Sequence, residues 1–271
     1  MKMGILISIM LLLLSSGIQS EEAKYFVTGS STGFVRCYRI SDGACIRTLA
    51  GHSSSVWSVD VSSCGEYILS GSSDGTVRYW RFSDGKCLLV YKGHKYNVMS
   101  SVFSPDDRFV ASSGESDNPK MDASKHSVKY WEIANPSNEK TFEGHTDMII
   151  SVKISPDGKY IVSGSGDMTI RYWDIETGNC LKTFQGHDSP IMSIAISPDG
   201  KYLLSGDHSK TMIYRRLEDG VILRKFEGAS GFNEVLFSPD GNYALGGQFD
   251  FFYYWRLADG VKIFEFKDDC S

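Results

Sequence analysis

Residues 144–187 read GHTDMIISVKISPDGKYIVSGSGDMTIRYWDIETGNCLKTFQGH, and the fold is decided by how this stretch is parsed. Ile149–Ile154 alternates apolar residues with small or polar ones, the two-residue period of a half-buried strand. Ser155-Pro156-Asp157-Gly158 then interrupts the run. Proline presets the first central φ of a turn, and aspartate and glycine suit its later positions, so the chain reverses here. Tyr160–Gly164, Thr169–Trp173 and Cys180–Phe184 follow, each short and bounded by Gly, Asp or Ser. Four short antiparallel strands are predicted within one unit.

The unit recurs in both directions. Gly51-His52, Gly93-His94, Gly144-His145 and Gly186-His187 continue into the degenerate Gly228-Ala229, with histidine-position spacings of 42, 51, 42 and 42 residues. An insertion around Glu115–His126 accounts for the longer interval. The same turn returns at Ser197–Gly200 and Ser238–Gly241, and the same inner run at Val56–Val61, Val98–Phe103 and Ile191–Ile196. A sheet of this size has two apolar faces and cannot bury them alone, so successive units must stack.

A four-stranded unit of this period, with Gly-His and Trp-Asp signatures, resembles the WD-repeat family. The resemblance runs from Tyr25 to Lys267. It implies an all-β protein, a WD-repeat β-propeller of about six four-stranded antiparallel blades, with residues 21–271 as one domain. The first blade is expected to be incomplete, lacking an inner strand once a leader is removed. The family pattern also implies a hydrogen-bonded set in each blade: His52, Ser70, Asp74 and Trp80 in the second, and His145, Ser163, Asp167 and Trp173 in the fourth. The third blade keeps His94, Ser112 and Trp131, with Asp117 or Asp122 as its acid. In the fifth, His187 and Ser205 remain, and Ser209 and Arg215 stand where Asp and Trp belong. The sixth keeps Asp250 and Trp255, and the first offers Thr28, Thr32 and Tyr38. Deleting a member that leaves its buried partners orphaned costs more than the bond itself gains.

The search for chemistry returns little. Gly29–Gly33 and Gly71–Gly75 both match the Gly-x-Ser-x-Gly pattern of a nucleophile elbow. That elbow needs a strand, a sharp turn and a helix, whereas both segments occupy the turn between two predicted strands. Four of the six histidines hold the repeat position on separate blades and cannot converge on one metal, and His126 and His208 lack partners at ligand spacing. No catalytic residue, metal site or cofactor is assigned. Asp60 and Glu234 are the acids on inner strands, and the alternative class is a channel-mouth hydrolase or carbohydrate-binding propeller. A formal charge of −5 offers no basic field for phosphate backbones, so nucleic acid is not an expected partner.

The family resemblance places partner docking on the face formed by the loops before the inner strands and between the second and third strands. On this chain those positions hold Ser55, Trp57 and Ser73, then Asn97 and Met99, then Met148, Ile150 and Gly166, then Pro190, Met192 and His208, then Asn233 and Phe249. Trp57, Met99, Ile150 and Met192 occupy one equivalent position on successive inner strands, and with His208 and Phe249 they are the expected partner-binding residues. Apolar and Met side chains there suit an adaptable protein surface; the competing role is packing between blades. The expected function is a non-catalytic scaffold binding a protein or peptide within a larger complex.

The first twenty residues follow another logic. Lys2 precedes the apolar run Gly4–Leu14, and Ser15, Ser16, Gly17 and Ser20 lead into Glu21. That order matches a secretory signal, too short to span a bilayer comfortably. Residues 1–20 are therefore read as a cleaved leader and the protein as secreted or periplasmic; the alternative is a cytoplasmic protein in which Leu11–Ser16 forms a blade strand. Cys37, Cys45, Cys64, Cys87, Cys180 and Cys270 do not form a disulfide framework, because Cys45, Cys87 and Cys180 hold one repeat position on different blades. N-terminal sequencing of the protein from its native host is expected to begin at Glu21, and recovery of an uncut Lys2 segment would overturn the leader.

Overall fold

The structure, a computed structural model, describes residues 9–11, 24–114, 126–248 and 251–267. Phe249, Asp250, Asp117, Asp122 and Cys270 lie outside the described residues. The fold is all-β, a β-propeller of six four-stranded antiparallel blades. These fall into two compact units, Met1–Glu143 and Gly144–Ser271.

In the first unit, blade one comprises β1 (Ile9–Leu11), β2 (Tyr25–Gly29), β3 (Phe34–Arg39) and β4 (Cys45–Ala50). Blade two comprises β5 (Val56–Val61), β6 (Tyr67–Ser72), β7 (Val77–Arg81) and β8 (Cys87–Tyr91). Blade three comprises β9 (Val98–Phe103), β10 (Phe109–Gly114), β11 (His126–Glu132) and β12 (Glu139–His145), whose last two residues enter the second unit. There, blade four comprises β13 (Ile149–Ile154), β14 (Tyr160–Ser165), β15 (Ile170–Asp174) and β16 (Cys180–Phe184). Blade five comprises β17 (Ile191–Ile196), β18 (Tyr202–Asp207), β19 (Thr211–Arg216) and β20 (Ile222–Glu227). Blade six comprises β21 (Glu234–Phe237), β22 (Tyr243–Gln248), β23 (Phe251–Arg256) and β24 (Lys262–Lys267).

Blade one is incomplete in a specific sense. Its inner position holds only three residues, with Ile9, Met10 and Leu11 opposite Thr28, Val27 and Phe26. Thirteen residues separate this short strand from β2, against five between inner and second strands elsewhere. The strand lies within the segment read as a leader, and it shares only Leu11 with the alternative strand Leu11–Ser16.

The turns behave as their composition dictates. In Ser155–Gly158 the Ser155 hydroxyl donates to Asp157 at 2.5 Å and accepts the Tyr160 amide at 3.0 Å, so one side chain closes both ends of the turn. Ser197 and Ser238 repeat the device. Two positions need a left-handed backbone where glycine is missing: Asp107 at φ 56° and Met168 at φ 65°. Both carry the steric strain that glycine would avoid.

Burial runs from blade to blade. Val27, Val35, Cys37 and Leu49 of blade one meet Val56, Val59, Ile68 and Trp80 of blade two. Leu69, Val77 and Tyr91 meet Val98, Phe103, Val110 and Trp131 of blade three. In the second unit Val162, Ile170 and Phe184 pack on Ile191, Ile194 and Leu203, and blade five packs similarly on Val235, Ala244, Tyr253 and Trp255. Each fully buried large apolar side chain contributes about 1.5–3 kcal/mol. An aromatic pair recurs across the second and third strands: Tyr67 on Tyr79 at 4.9 Å, Tyr160 on Tyr172 at 4.8 Å, and Tyr243 on Tyr254 at 4.9 Å.

Inner strands are also tied by hydrogen bonds. Ser58 and Ser101 share one at 2.9 Å, and Asp60 accepts the Phe103 amide at 2.7 Å. In the second unit the Ile194 amide donates to Ser151 at 3.3 Å and the Val235 amide to Ser193 at 3.1 Å.

Candidate functional site

The polar set inside each blade positions the loops that precede the inner strands. In blade two, His52 Nδ1 lies 2.8 Å from Asp74, His52 Nε2 lies 2.8 Å from Ser70 Oγ, and Trp80 Nε1 donates to the same oxygen at 2.8 Å. The carboxylate only accepts and the indole only donates, which fixes every proton between them. Nδ1 carries a hydrogen towards Asp74, Ser70 donates to Nε2, and Trp80 donates to Ser70. Blade four repeats this chain with 2.7 Å from His145 to Asp167, 2.8 Å to Ser163, and 2.8 Å from Trp173 to Ser163. The acids reach further: Asp74 accepts the Ser53 amide at 3.0 Å and the Thr76 hydroxyl at 2.6 Å, and Asp167 does the same with Thr146 and Thr169. Each set thereby clamps the loop before one inner strand to the turn between the second and third strands.

Blade three keeps His94 on Ser112 at 2.8 Å and Trp131 on Ser112 at 3.3 Å. Tyr91 stacks on Trp131 at 4.3 Å, where Arg78 covers Trp80 in blade two. Blade five corrects the sequence reading. Its acid is Asp207, at the end of β18, 2.9 Å from His187 Nδ1, while His187 Nε2 meets Ser205 at 2.7 Å. Ser209, expected in the acid's place, instead donates to Asp207 at 2.7 Å, the part played by Thr76 in blade two. The acid comes two residues early, so a search at fixed offset passes over it. Arg215 is buried at the Trp position, reaching the Gln185 carbonyl at 3.0 Å and lying over Phe184 at 5.3 Å. Its Nε has no hydrogen-bond partner, and burial lowers the guanidinium pKa to about 10. In blade six the Tyr253 hydroxyl accepts the Ala229 amide at 2.6 Å, replacing the absent histidine.

The expected partner-binding residues share one environment. Trp57, Met99, Ile150 and Met192 are each half-buried, and in every case the residues on both sides are buried. They are not core. Trp57 and Met99 stand on β5 and β9 of the first unit, and Ile150 and Met192 on β13 and β17 of the second. Trp57 Nε1 donates to Ser73 at 2.5 Å, which fixes the indole plane against the turn. His208 is exposed at the end of the Asp207 turn, with its amide on the Pro190 carbonyl at 2.9 Å. A serine follows each apolar residue, as Ser58, Ser100, Ser151 and Ser193, and three of these four hydroxyls make the inner-strand ties described above. Sequence reading missed this group, although the recurring apolar-Ser pair was its signal.

Catalytic groupings are sparse. Asp60 is buried and receives the amides of Val61 at 2.9 Å and Phe103 at 2.7 Å, so its carboxylate is committed to structure. Gly29–Gly33 and Gly71–Gly75 each join strand to strand, without the helix an elbow requires. Among the described residues no three His, Cys, Asp or Glu side chains gather as metal ligands, and no helix is long and apolar enough to cross a membrane. Cys37, Cys45, Cys64, Cys87 and Cys180 are unbridged, and burial pushes the Cys37 thiol up to about 12.

A family model described as "WD domain, G-beta repeat" matches residues 43–81, 85–121, 136–174 and 178–214, more than half of the chain. Over 32 residues the chain is 62% identical to a transcriptional repressor, tup12, of Schizosaccharomyces pombe. That match covers 12% of this chain and 5% of the relative's length.

The clamps set the acid stability. Burial alone would raise Asp74, but the Thr76 hydroxyl, the Ser53 amide and His52 outweigh it and hold its pKa at about 2. Asp207 is likewise held at about 2, by His187, Ser209 and the amides of Thr211 and Lys210 against burial. Both stabilise above the ordinary value of 3.8, and that contribution is lost as pH falls towards 2. His94 acts in a higher window: burial lowers its pKa from 6.5 to about 4, with Lys129 adding to the effect. The unfolded chain protonates this histidine first, so stability drops as pH falls from 6.5 towards 4. The thermal midpoint, followed from pH 8 down to 2, is expected to fall in two stages, with His94→Gln shrinking the upper one. Trp173→Ala is expected to cost about 3–5 kcal/mol in denaturant unfolding. Arg215→Trp restores a donor to Ser205 and removes a buried cation, and is expected to gain about 1–2 kcal/mol, raising the midpoint by roughly 3–6 °C; an unchanged or lower midpoint would refute that reading of blade five.

Proposed function

Since this chain belongs to the WD-repeat family, whose propellers typically serve as protein-interaction scaffolds, we propose that it is a non-catalytic scaffold binding a protein or peptide through Trp57, Met99, Ile150, Met192, His208 and Phe249. The observation that carries this reading is the half-exposure of the first four at one repeat position between buried neighbours. Hydrophobic contacts limited to such positions give affinity without being needed for folding. The engagement of Asp60 by two backbone amides supports a binding role over hydrolysis. The likeness to tup12 is shorter than one repeat and brings no transcriptional role to this chain.

Residues 1–20 serve, in this proposal, as an export signal, so that the working protein begins at Glu21 outside the cell or in a periplasm. In the uncut chain Ile9–Leu11 pairs with β2. Removal of the leader therefore leaves blade one with three strands.

The binding surface is tested by Trp57→Ser combined with Met99→Ser. Capture of a partner from the native host, read by pull-down and mass spectrometry, is expected to fall at least tenfold, with the thermal midpoint within about 2 °C of the parent, as for surface changes. A fall of many degrees would assign these residues to the core instead.

A further inference from the structure

Blade six buries one face and leaves the other open. Its covered face carries Val235, Ala244, Tyr253 and Trp255, packed against Leu204, Met212 and Phe226 of blade five. Strand register aligns Leu236, Leu245, Tyr254 and Phe264 in one row across all four strands. A second row on the same face runs through Gly247, Phe252 and Phe266. These side chains are exposed: Leu236 by 44%, Leu245 by 40%, Phe252 by 54%, Phe264 by 58% and Phe266 by 46%. Scattered surface hydrophobes need no explanation, but two adjoining rows on one sheet face form a patch.

We propose that this open face of blade six is a self-association surface, covered in solution by the same face of a second copy of the chain. Three observations favour a copy over an unrelated partner. The flat apolar sheet on the opposite side of the same blade shows the kind of surface that blade six accepts, and a second blade six offers one. The charged groups at the patch margin are already neutralised within the chain, Arg256 by Asp259 at 2.7 Å and Lys262 by Glu265. Two identical faces therefore meet without like-charge repulsion, and no unpaired charge selects a partner of opposite sign. The area also fits. Aromatic side chains bury 150–250 Å² each, so five half-exposed residues supply on the order of 500 Å². A symmetric pair would bury on the order of 1,000 Å², the threshold for a specific if modest interface. Lys262 and Lys267 on the outer strand discourage edge-to-edge pairing, which leaves the face as the route of contact.

Sedimentation of the full protein between 1 and about 100 µM is the test, at concentrations matched to a weak interface of this size. The expected result is a mass rising to twice that of the monomer, and a return to monomer, with at least tenfold weaker association, for Phe252→Ser combined with Phe264→Ser. Where that pair lowers the thermal midpoint, Phe266→Lys alone serves, since its side chain lies at the end of the second row. A parent that stays monomeric throughout would overturn the proposal. So would a dimer that persists in both variants, or a monomer that binds a different protein through these residues. Trp57 and Met99 are not part of this surface, so loss of partner capture in their variants leaves the mass unchanged and tells the two proposals apart.

Discussion

A sheet of four strands, each five or six residues long, has two apolar faces and an interior too thin to contain a core. Every other feature of this protein answers that constraint. Each blade must lean on a neighbour, and the leaning is useful only if blades are held at fixed tilt and depth. The His–Ser–Trp–Asp chain of hydrogen bonds supplies the fixing. It runs from the indole of the third strand through the second-strand serine to the histidine of the preceding loop, and on to the acid in the following turn. No member has a lone pair or proton to spare, so the unit holds as a whole.

The blades differ in how fully they meet this demand. Blades two and four hold the complete set, each with an arginine laid over the tryptophan. Blade three exchanges that arginine for a stacked tyrosine, and the Tyr91 hydroxyl binds Glu139, which in turn meets Lys129 at 3.0 Å. Blade five retains the acid and histidine yet places a cation where an indole belongs. Blade six substitutes a phenol for the histidine. Order is thus concentrated in the middle repeats, while the later ones trade a polar network for aromatic packing such as Phe232 and Tyr253 against Trp255.

Period, turn chemistry and the tryptophan signature made the blades legible from the residues, because each depends on local spacing. The departures were harder for physical reasons. Asp207 escaped because a carboxylate can reach one histidine from either of two backbone positions, and only the direction of β18 selects between them. The burial of Arg215 is invisible to composition, since arginine is ordinarily exposed and only its place on the strand puts it inside. The strand at Ile9–Leu11 could not be read either: an apolar run of this length suits a leader and a strand equally well. The half-exposure of Trp57 and its equivalents was approachable from sequence only as a choice between rim and core, because a strand buried on both faces loses the alternation that would separate them.

The turns between second and third strands hold one more lesson. A methyl group at Gly33 would stand 2.7 Å from the His52 carbonyl oxygen, and one at Gly75 would stand 3.0 Å from that of His94. Each tight turn is therefore a seat for the loop of the following blade, not a closure of its own. Damage at such a seat would first show one blade downstream, in the neighbour's histidine. The array thus has a grain: a fault spreads from amino to carboxyl end like a slipped tooth in a ratchet, and a blade transplanted elsewhere would need its upstream neighbour moved with it.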